Sequence, residues 1–175
     1  MKSPSSDAIP VLPETLLAQG VALRPITDDD APLLARWHAA FRAASFPGWN
    51  EAQLAPMLAD QFRLQQLHYA RVYPDADHWL AAQAETPIGQ IHIDRTQPDW
   101  RLVDLLVAPD ARGSGLGGAL LGWIQRMAIA ENAASITLDV AIDNTPARAL
   151  YRKAGFVDED PDPELVLPMR WTVPG

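Results

Sequence analysis

The stretch APDARGSGLGGALL, Ala108–Leu121, sets four glycines within six positions, behind an arginine and ahead of an apolar run. Glycine lets the backbone take positive φ and lets a ligand approach it closely. A loop of this kind opening a helix offers successive N–H groups at the positive end of the helix dipole, which suits a phosphate or pyrophosphate. Two readings compete. Gly113, Gly115 and Gly118 match the dinucleotide pattern G-x-G-x-x-G, with Asp139 about 20 residues further on as a ribose-binding acid. Arg112, Gly115 and Gly117 also frame a pyrophosphate loop of a different kind. No Gly-Lys-Ser/Thr closes the loop, so a P-loop is excluded.

Further polar groups cluster downstream in DNTPARALYRKAGF. Asn144 reads either as a helix cap or as a ligand contact. Tyr151 reads either as a half-buried core ring or as a proton donor. Arg148, Arg152 and Lys153 form either a basic patch for phosphates or a solvated helix face. His92 and Asp94 share one face of an alternating strand, and they and Asp104 read either as candidate bases or as structural polar groups. His38, His68, His78 and His92 are scattered, with no paired ligand spacing, so no metal site is expected.

The elements that must position these groups follow from periodicity and turn signals. VALRPI (Val21–Ile26) reads as a strand. Thr27 caps a helix through Leu33, Leu34, Trp37 and Phe41, with Asp28, Asp29 and Asp30 in its first turn. Asn50 and Gln53 make a capping box for a second helix running toward Tyr73. His78–Ala84, Ile88–Asp94 and Trp100–Val107 read as three strands of an antiparallel meander. After the glycine loop, Leu120, Leu121, Ile124, Met127 and Ala128 mark a helix. A strand (Ser135–Ile142), a short helix with Pro146 near its start and Gly155 past its end, and a closing strand (Glu164–Trp171) complete the chain. The order is β-α-α-β-β-β-α-β-α-β-β. A dinucleotide fold needs its glycine loop after the first strand of a parallel sheet, followed by several βα units. Here the loop follows the third strand of a meander, which disfavours that reading.

The 175 residues suit one domain over 21–175, with residues 1–20 expected to be a flexible leader rather than a signal peptide. A net charge of −8 and a pI near 4.8 argue against a nucleic-acid partner. There is no window of ~18 apolar residues for a membrane span. The absence of cysteine excludes disulfides and fits a cytoplasmic setting. In the fold that the resemblance given below implies, Asp75, Asp77, Asp94, Asp104 and the run Asp158-Glu159-Asp160 flank or precede elements bordering an acceptor cleft, where they would attract a cationic amine; the competing reading is ordinary solubility charge.

Val107-x-Pro109-x-x-Arg112-Gly113-x-Gly115-x-Gly117 and Asn144-x-x-Ala147-x-x-Leu150-Tyr151-x-x-x-Gly155-Phe156 together resemble the two signature segments of the GNAT superfamily of acyl-CoA-dependent N-acetyltransferases. The resemblance spans Val21 to Trp171. It implies an α/β (α+β) fold with a mixed central sheet of about seven strands, splayed between the fourth and fifth. It implies acetyl-CoA as cofactor, held by Leu105, Leu106, Val107, Arg112, Gly113, Ser114, Gly115, Leu116, Gly117, Gly118, Asn144, Tyr151 and Lys153. Pantetheine amides would pair with the free backbone edge near Leu105–Val107, a small-molecule form of strand addition. Tyr151 would protonate the leaving thiolate, and Asp104 is the first candidate base. The implied reaction moves an acetyl group by direct attack of a primary amine from a small molecule or peptide. A homodimer stays open. The rival readings are a non-catalytic acyl-CoA sensor and a dinucleotide-dependent oxidoreductase.

Overall fold

The structure is a computed structural model that describes residues 9–160 and 162–174. Its strands are β1 (Val21–Pro25), β2 (Asp77–Gln83), β3 (Thr86–Asp94), β4 (Asp99–Val107), β5 (Ser135–Ala141), β6 (Val157–Asp158) and β7 (Val166–Thr172). They form one sheet in the order β1-β2-β3-β4-β5-β7-β6. Every neighbouring pair is antiparallel except β4 and β5. The helices are α1 (Glu14–Ala18), α2 (Ala31–Arg42), α3 (Glu51–Val72), α4 (Leu116–Ala130) and α5 (Thr145–Lys153). The expected element order holds from β1 onward.

Alternation along the strands divides the apolar side chains between two layers. Trp79, Ala81, Ile91 and Ile93 point into the main core, where Leu120, Leu121, Ile124 and Ala128 of α4 close over them. Leu80 and Leu106 point the other way, onto Leu34 and Trp37 of α2, with Phe62 of α3 packed beside them. Hence α2 and α3 cover one face of the sheet and α4 the other. The capping signals read from the sequence are made. Asn50 Oδ1 accepts from Gln53 N (3.0 Å) and Gln53 Oε1 from Asn50 N (2.9 Å) at the start of α3. Asp30 Oδ2 accepts from Thr27 N at 2.9 Å, ahead of α2. The Arg24 fork grips the same carboxylate at 2.7 and 2.6 Å and, with Thr27, holds it well below the usual carboxylate range.

The flexible leader expected over 1–20 needs correction where the structure describes it; residues 1–8 lie outside the described residues. Residues 9–20 pack onto the domain. Leu12 and Leu16 are buried in the main core, and Trp123 Nε1 donates to Val11 O at 3.0 Å. Pro10 and Pro13 disguise this segment as linker, yet Leu12 and Leu16 fill a site against β1 and α4. Leu16→Ala is expected to cost ~2–5 kcal/mol, the range for a fully buried leucine. Urea unfolding checks this; a midpoint equal to the parent's would return the segment to the status of a leader.

Candidate active site

β4 and β5 pair only at Asp99–Ser135, Trp100–Ile136 and Arg101–Thr137. Beyond Arg101 the strands part, as the splayed sheet requires. Leu102 to Val107 and Leu138 to Ala141 then face each other across a cavity of about 700 Å³. The rest of β4 therefore carries backbone N–H and C=O groups along an edge that β5 does not pair. Unpaired buried backbone groups are costly, so such an edge calls for a hydrogen-bonding ligand or water.

The glycine loop closes one end of the cavity. Gly113 and Gly115 have φ of +76° and +85°, and no atom lies within 4 Å of where a Cβ would stand on either. The positive φ requires glycine, and the empty space beside it leaves the backbone open to a ligand. Gly115 is the N-cap of α4, so the first-turn N–H groups of that helix point at the cavity end without partners in the helix itself. Gly117 has ordinary helical backbone, and a Cβ there would make ordinary contacts with Leu150 at 3.4 Å and Val107 at 3.5 Å.

The sequence candidates divide. Asp104, Leu105, Leu106, Val107, Arg112, Gly113, Gly115, Leu116, Gly117, Gly118, Asn144 and Tyr151 all line the cavity. Lys153 does not. It lies two residues past Tyr151, about 200° around the helix, and is exposed. Ser114 turns its side chain into the loop, donating to Ala111 O at 2.6 Å and accepting from Leu116 N at 3.4 Å. The basic patch on α5 also dissolves. Arg152 pairs with Asp158 at 2.5 Å, and Arg148 donates to Ile142 O at 2.7 Å. The cations on the cavity wall are instead Arg112, whose guanidinium lies 5.9 Å from the Phe41 ring, and Arg42 of α2. Arg42 was missed because a cation in the last turn of a helix is ordinary in sequence.

Asn144 combines its two readings. Its Oδ1 caps α5 by accepting from Ala147 N at 3.2 Å, and the residue still lines the cavity. Tyr151 does likewise: its buried ring packs on Phe156 at 5.7 Å, while the residue forms part of the cavity wall. Burial pushes its hydroxyl well above the ordinary phenol range, and the nearby Asp104 charge adds to the rise. Tyr69 of α3 faces the cavity under the same influences.

Asp104 owes its orientation to a bulge. His92 is opposite Asp104 but Ile93 is opposite Leu102, so Val103 is an extra residue in β4. Trp100 and Leu102 point into the main core, as do Leu105 and Val107 beyond the bulge. Without the extra residue Asp104 would occupy a core position. With it, the carboxylate stands on the α2–α3 face beside the cavity, accepting from Gln90 Nε2 at 2.6 Å. Loss of hydration lifts it to about 6, against the hydrogen bonds from Gln90 and the Leu105 backbone, which hold it down.

The other base candidates fare differently. Asp94 accepts from Thr96 N at 2.8 Å and is not on the cavity wall. His92 is buried and lowered to about 4, chiefly by lost hydration and then by His78. These two histidines, scattered in sequence, stack with ring centroids 4.5 Å apart. Three of the seven acids of the expected rim are ion-paired elsewhere. Asp77 pairs with Arg95 at 2.6 Å, Asp158 with Arg152, and Glu159 with Arg170 at 2.5 Å. Of the acids expected at the cleft, Asp104 alone is on the cavity wall; it is joined there by Asp139, whose carboxylate pairs with Arg101 across the base of the split. That pairing, with β4 antiparallel to β3, removes the dinucleotide reading.

A family model described as "Acetyltransferase (GNAT) family" matches residues 34–156. The chain belongs to that family. Among its relatives are mycothiol acetyltransferases of Pseudarthrobacter chlorophenolicus, 28% identical over 172 residues, and Saccharomonospora viridis, 29% identical over 168. The matches cover 86% of this chain but 47% and 50% of those proteins, so it spans about half the length of these curated relatives. The fold is that of the PaiA N-acetyltransferase of Thermoplasma acidophilum in complex with coenzyme A, with a TM-score of 0.66 at 18% identity. The match covers 87% of this chain and 98% of that one. Among GNAT folds, the split sheet and glycine loop seen here are thus set in a known architecture.

The two loop glycines are expected to respond differently to alanine. Gly115→Ala forces a left-handed conformation on a side chain and should cost ~1–2 kcal/mol of stability. Gly117→Ala keeps helical backbone and makes ordinary contacts, so its cost should stay within ~1 kcal/mol. Thermal unfolding of both variants decides; equal losses would mean that positive φ is not what Gly115 supplies.

Proposed function

We propose that the chain is an N-acetyltransferase that uses acetyl-CoA and acetylates a primary amine of a small molecule or peptide by direct attack. The observation that carries this reading is one cavity joining four features: the glycine loop, the unpaired β4 edge, the Tyr151 side chain and the Asp104 carboxylate. The residues present fit the cofactor. Space beside Gly113 and Gly115 suits the pyrophosphate, and Arg112 adds positive charge. The backbone of Leu105 to Val107 offers hydrogen bonds to the pantetheine amides.

Bound there, acetyl-CoA supplies an activated acyl group as its thioester. A backbone N–H on the unpaired edge of β4 would stabilise negative charge developing on the thioester oxygen. Asp104, lifted to about 6, is mostly ionised near neutral pH and accepts a proton from the attacking amine. Tyr151, pushed up by burial, keeps its proton at that pH and donates it to the departing sulfur. A non-catalytic acyl-CoA sensor would need neither group on the cavity wall. Among the described residues no helix is long and apolar enough to cross a membrane. The spermidine N-acetyltransferase of Vibrio cholerae, solved with coenzyme A and spermine, shares the fold at TM-score 0.60 and 16% identity. The scarcity of uncompensated carboxylates on this wall gives no special support to a polyamine here.

Acetyl-CoA at ~100 Kd should add ~2.7 kcal/mol of stability, a melting shift of roughly 5–10 °C, and NADH should add none. Free-thiol release across a panel of amino acids, peptide amino termini, polyamines and aminoglycosides then tests the reaction. Cofactor binding without transfer to any amine would favour the sensor; a shift with NADH alone would sink the proposal.

Tyr151→Phe keeps the ring and its contact with Phe156 but removes the proton. Cofactor affinity is expected to stay within a few-fold while kcat falls ~10²-fold, the low end for a positioned acid. An unchanged kcat, with chemistry shown to limit the rate, would leave Tyr151 as a packing residue.

A further inference from the structure

The Asp104 carboxylate does not stand alone, and the groups behind it are unused by the chemistry described so far. His78, His92 and Asp104 lie directly opposite one another on β2, β3 and β4. Gln90 is two residues before His92 on β3, so its side chain shares their face. Gln90 is only 6% exposed, and each end of its amide has a partner: Asp104 Oδ2 at 2.6 Å and His78 Nε2 at 3.3 Å.

The chemistry of the partners orients this chain without ambiguity. An ionised carboxylate only accepts, so the Gln90 NH2 group faces Asp104. The amide oxygen therefore faces His78, and it too only accepts. His78 must present an N–H at Nε2, which sets its tautomer. The His78 ring is held in turn by stacking on His92 at 4.5 Å and 19°, and the edge of Tyr69 closes on His92 at 5.1 Å.

We infer that Gln90, oriented by His78, is a positioning residue that holds the Asp104 carboxylate by Oδ2 and so fixes how it is presented to the attacking amine. This rests on the reading of Asp104 as the base. The hydrogen bond stabilises the ionised form, while the surroundings supply no compensating cation on the same side. His78 and His92 are both pushed down by burial and stay neutral near pH 7. From α3 and α5, Tyr69 and Tyr151 are pushed up and stay protonated. From β4, Arg101 is committed to Asp139. Asp104 itself is lifted to about 6 and titrates just below neutrality.

The sign of the effect follows. Removing the Gln90 donor raises the Asp104 pKa further, so a smaller fraction is ionised at a given pH below neutrality. The acidic limb of kcat/KM should move to higher pH in Gln90→Leu, by about one unit, the scale expected for a hydrogen bond to a charged group. His78→Phe keeps a ring against His92 but removes the N–H that orients Gln90; a smaller shift in the same direction is expected. The acceptor amine has its own titration, but neither substitution alters it, so a moved limb reports the protein. Carboxyl-carbon NMR of the cofactor-free protein reads the Asp104 pKa directly, using Asp104→Asn to assign the signal. In an Asp104→Asn background, Gln90→Leu should bring no further loss of kcat.

A limb and an NMR pKa unmoved in a folded Gln90→Leu protein would overturn the positioning role. So would full additivity of the Gln90 and Asp104 losses. Retention of the wild-type limb and rate in Asp104→Asn would instead overturn the base assignment, and the inference with it.

Discussion

Three paired residues hold β4 against β5, and past Arg101 the two strands separate. The rest of the site depends on that parting. A parallel pair continued to the end would bury every backbone group between the strands and leave no cavity. Because it stops, six residues of β4 face an opening, and the first turn of α4 stands at one end of it. Arg101 and Asp139 tie the strands together at the point of divergence. Helices on both faces keep the two halves of the sheet in one body, so the gap is a feature of the scaffold.

A single extra residue then decides what faces the opening. The bulge at Val103 lets Trp100 and Leu102 fill the main core and yet brings Asp104 onto the other face, without a polar side chain among α4 leucines. The same shift places the carboxylate opposite His92 and within reach of Gln90. Burial behind it is neutral rather than cationic, which is why its proton affinity rises. Bulges near reactive groups commonly re-aim a side chain in this way.

The acidic balance of the chain has little to do with the cavity. Three of the seven acids that a sequence reading assigns to a cleft are spent in ion pairs away from it, Asp77 with Arg95, Asp158 with Arg152 and Glu159 with Arg170. On α5, Arg152 is spent in one of these pairs and Arg148 donates to the Ile142 carbonyl. What remains at the cavity wall is sparse: two carboxylates, one of them paired, and two arginines from α2 and the loop. Recognition of a ligand there must rely more on backbone groups and shape than on net charge.

Much of this was legible in the residues alone. The strand and helix pattern, the Thr27 cap and the Asn50–Gln53 capping box, the meander and the glycine loop with its partner segment depend on local periodicity and backbone preference, which sequence records directly. Asn144 and Tyr151 are marked out by the likeness of their segment to the family's second signature, which sequence also records. Four other features required the fold. The bulge that aims Asp104 depends on register between strands. The stacking of His78 on His92 joins positions 14 residues apart in sequence across a strand pair. The burial of Leu12 and Leu16 depends on a site built by distant strands and α4, and so a segment with the composition of a leader becomes core. The choice of which charges face the cavity depends on where their partners lie. Side chains and backbone within one element answer to local rules; register, pairing and desolvation are set by neighbours that only tertiary packing supplies.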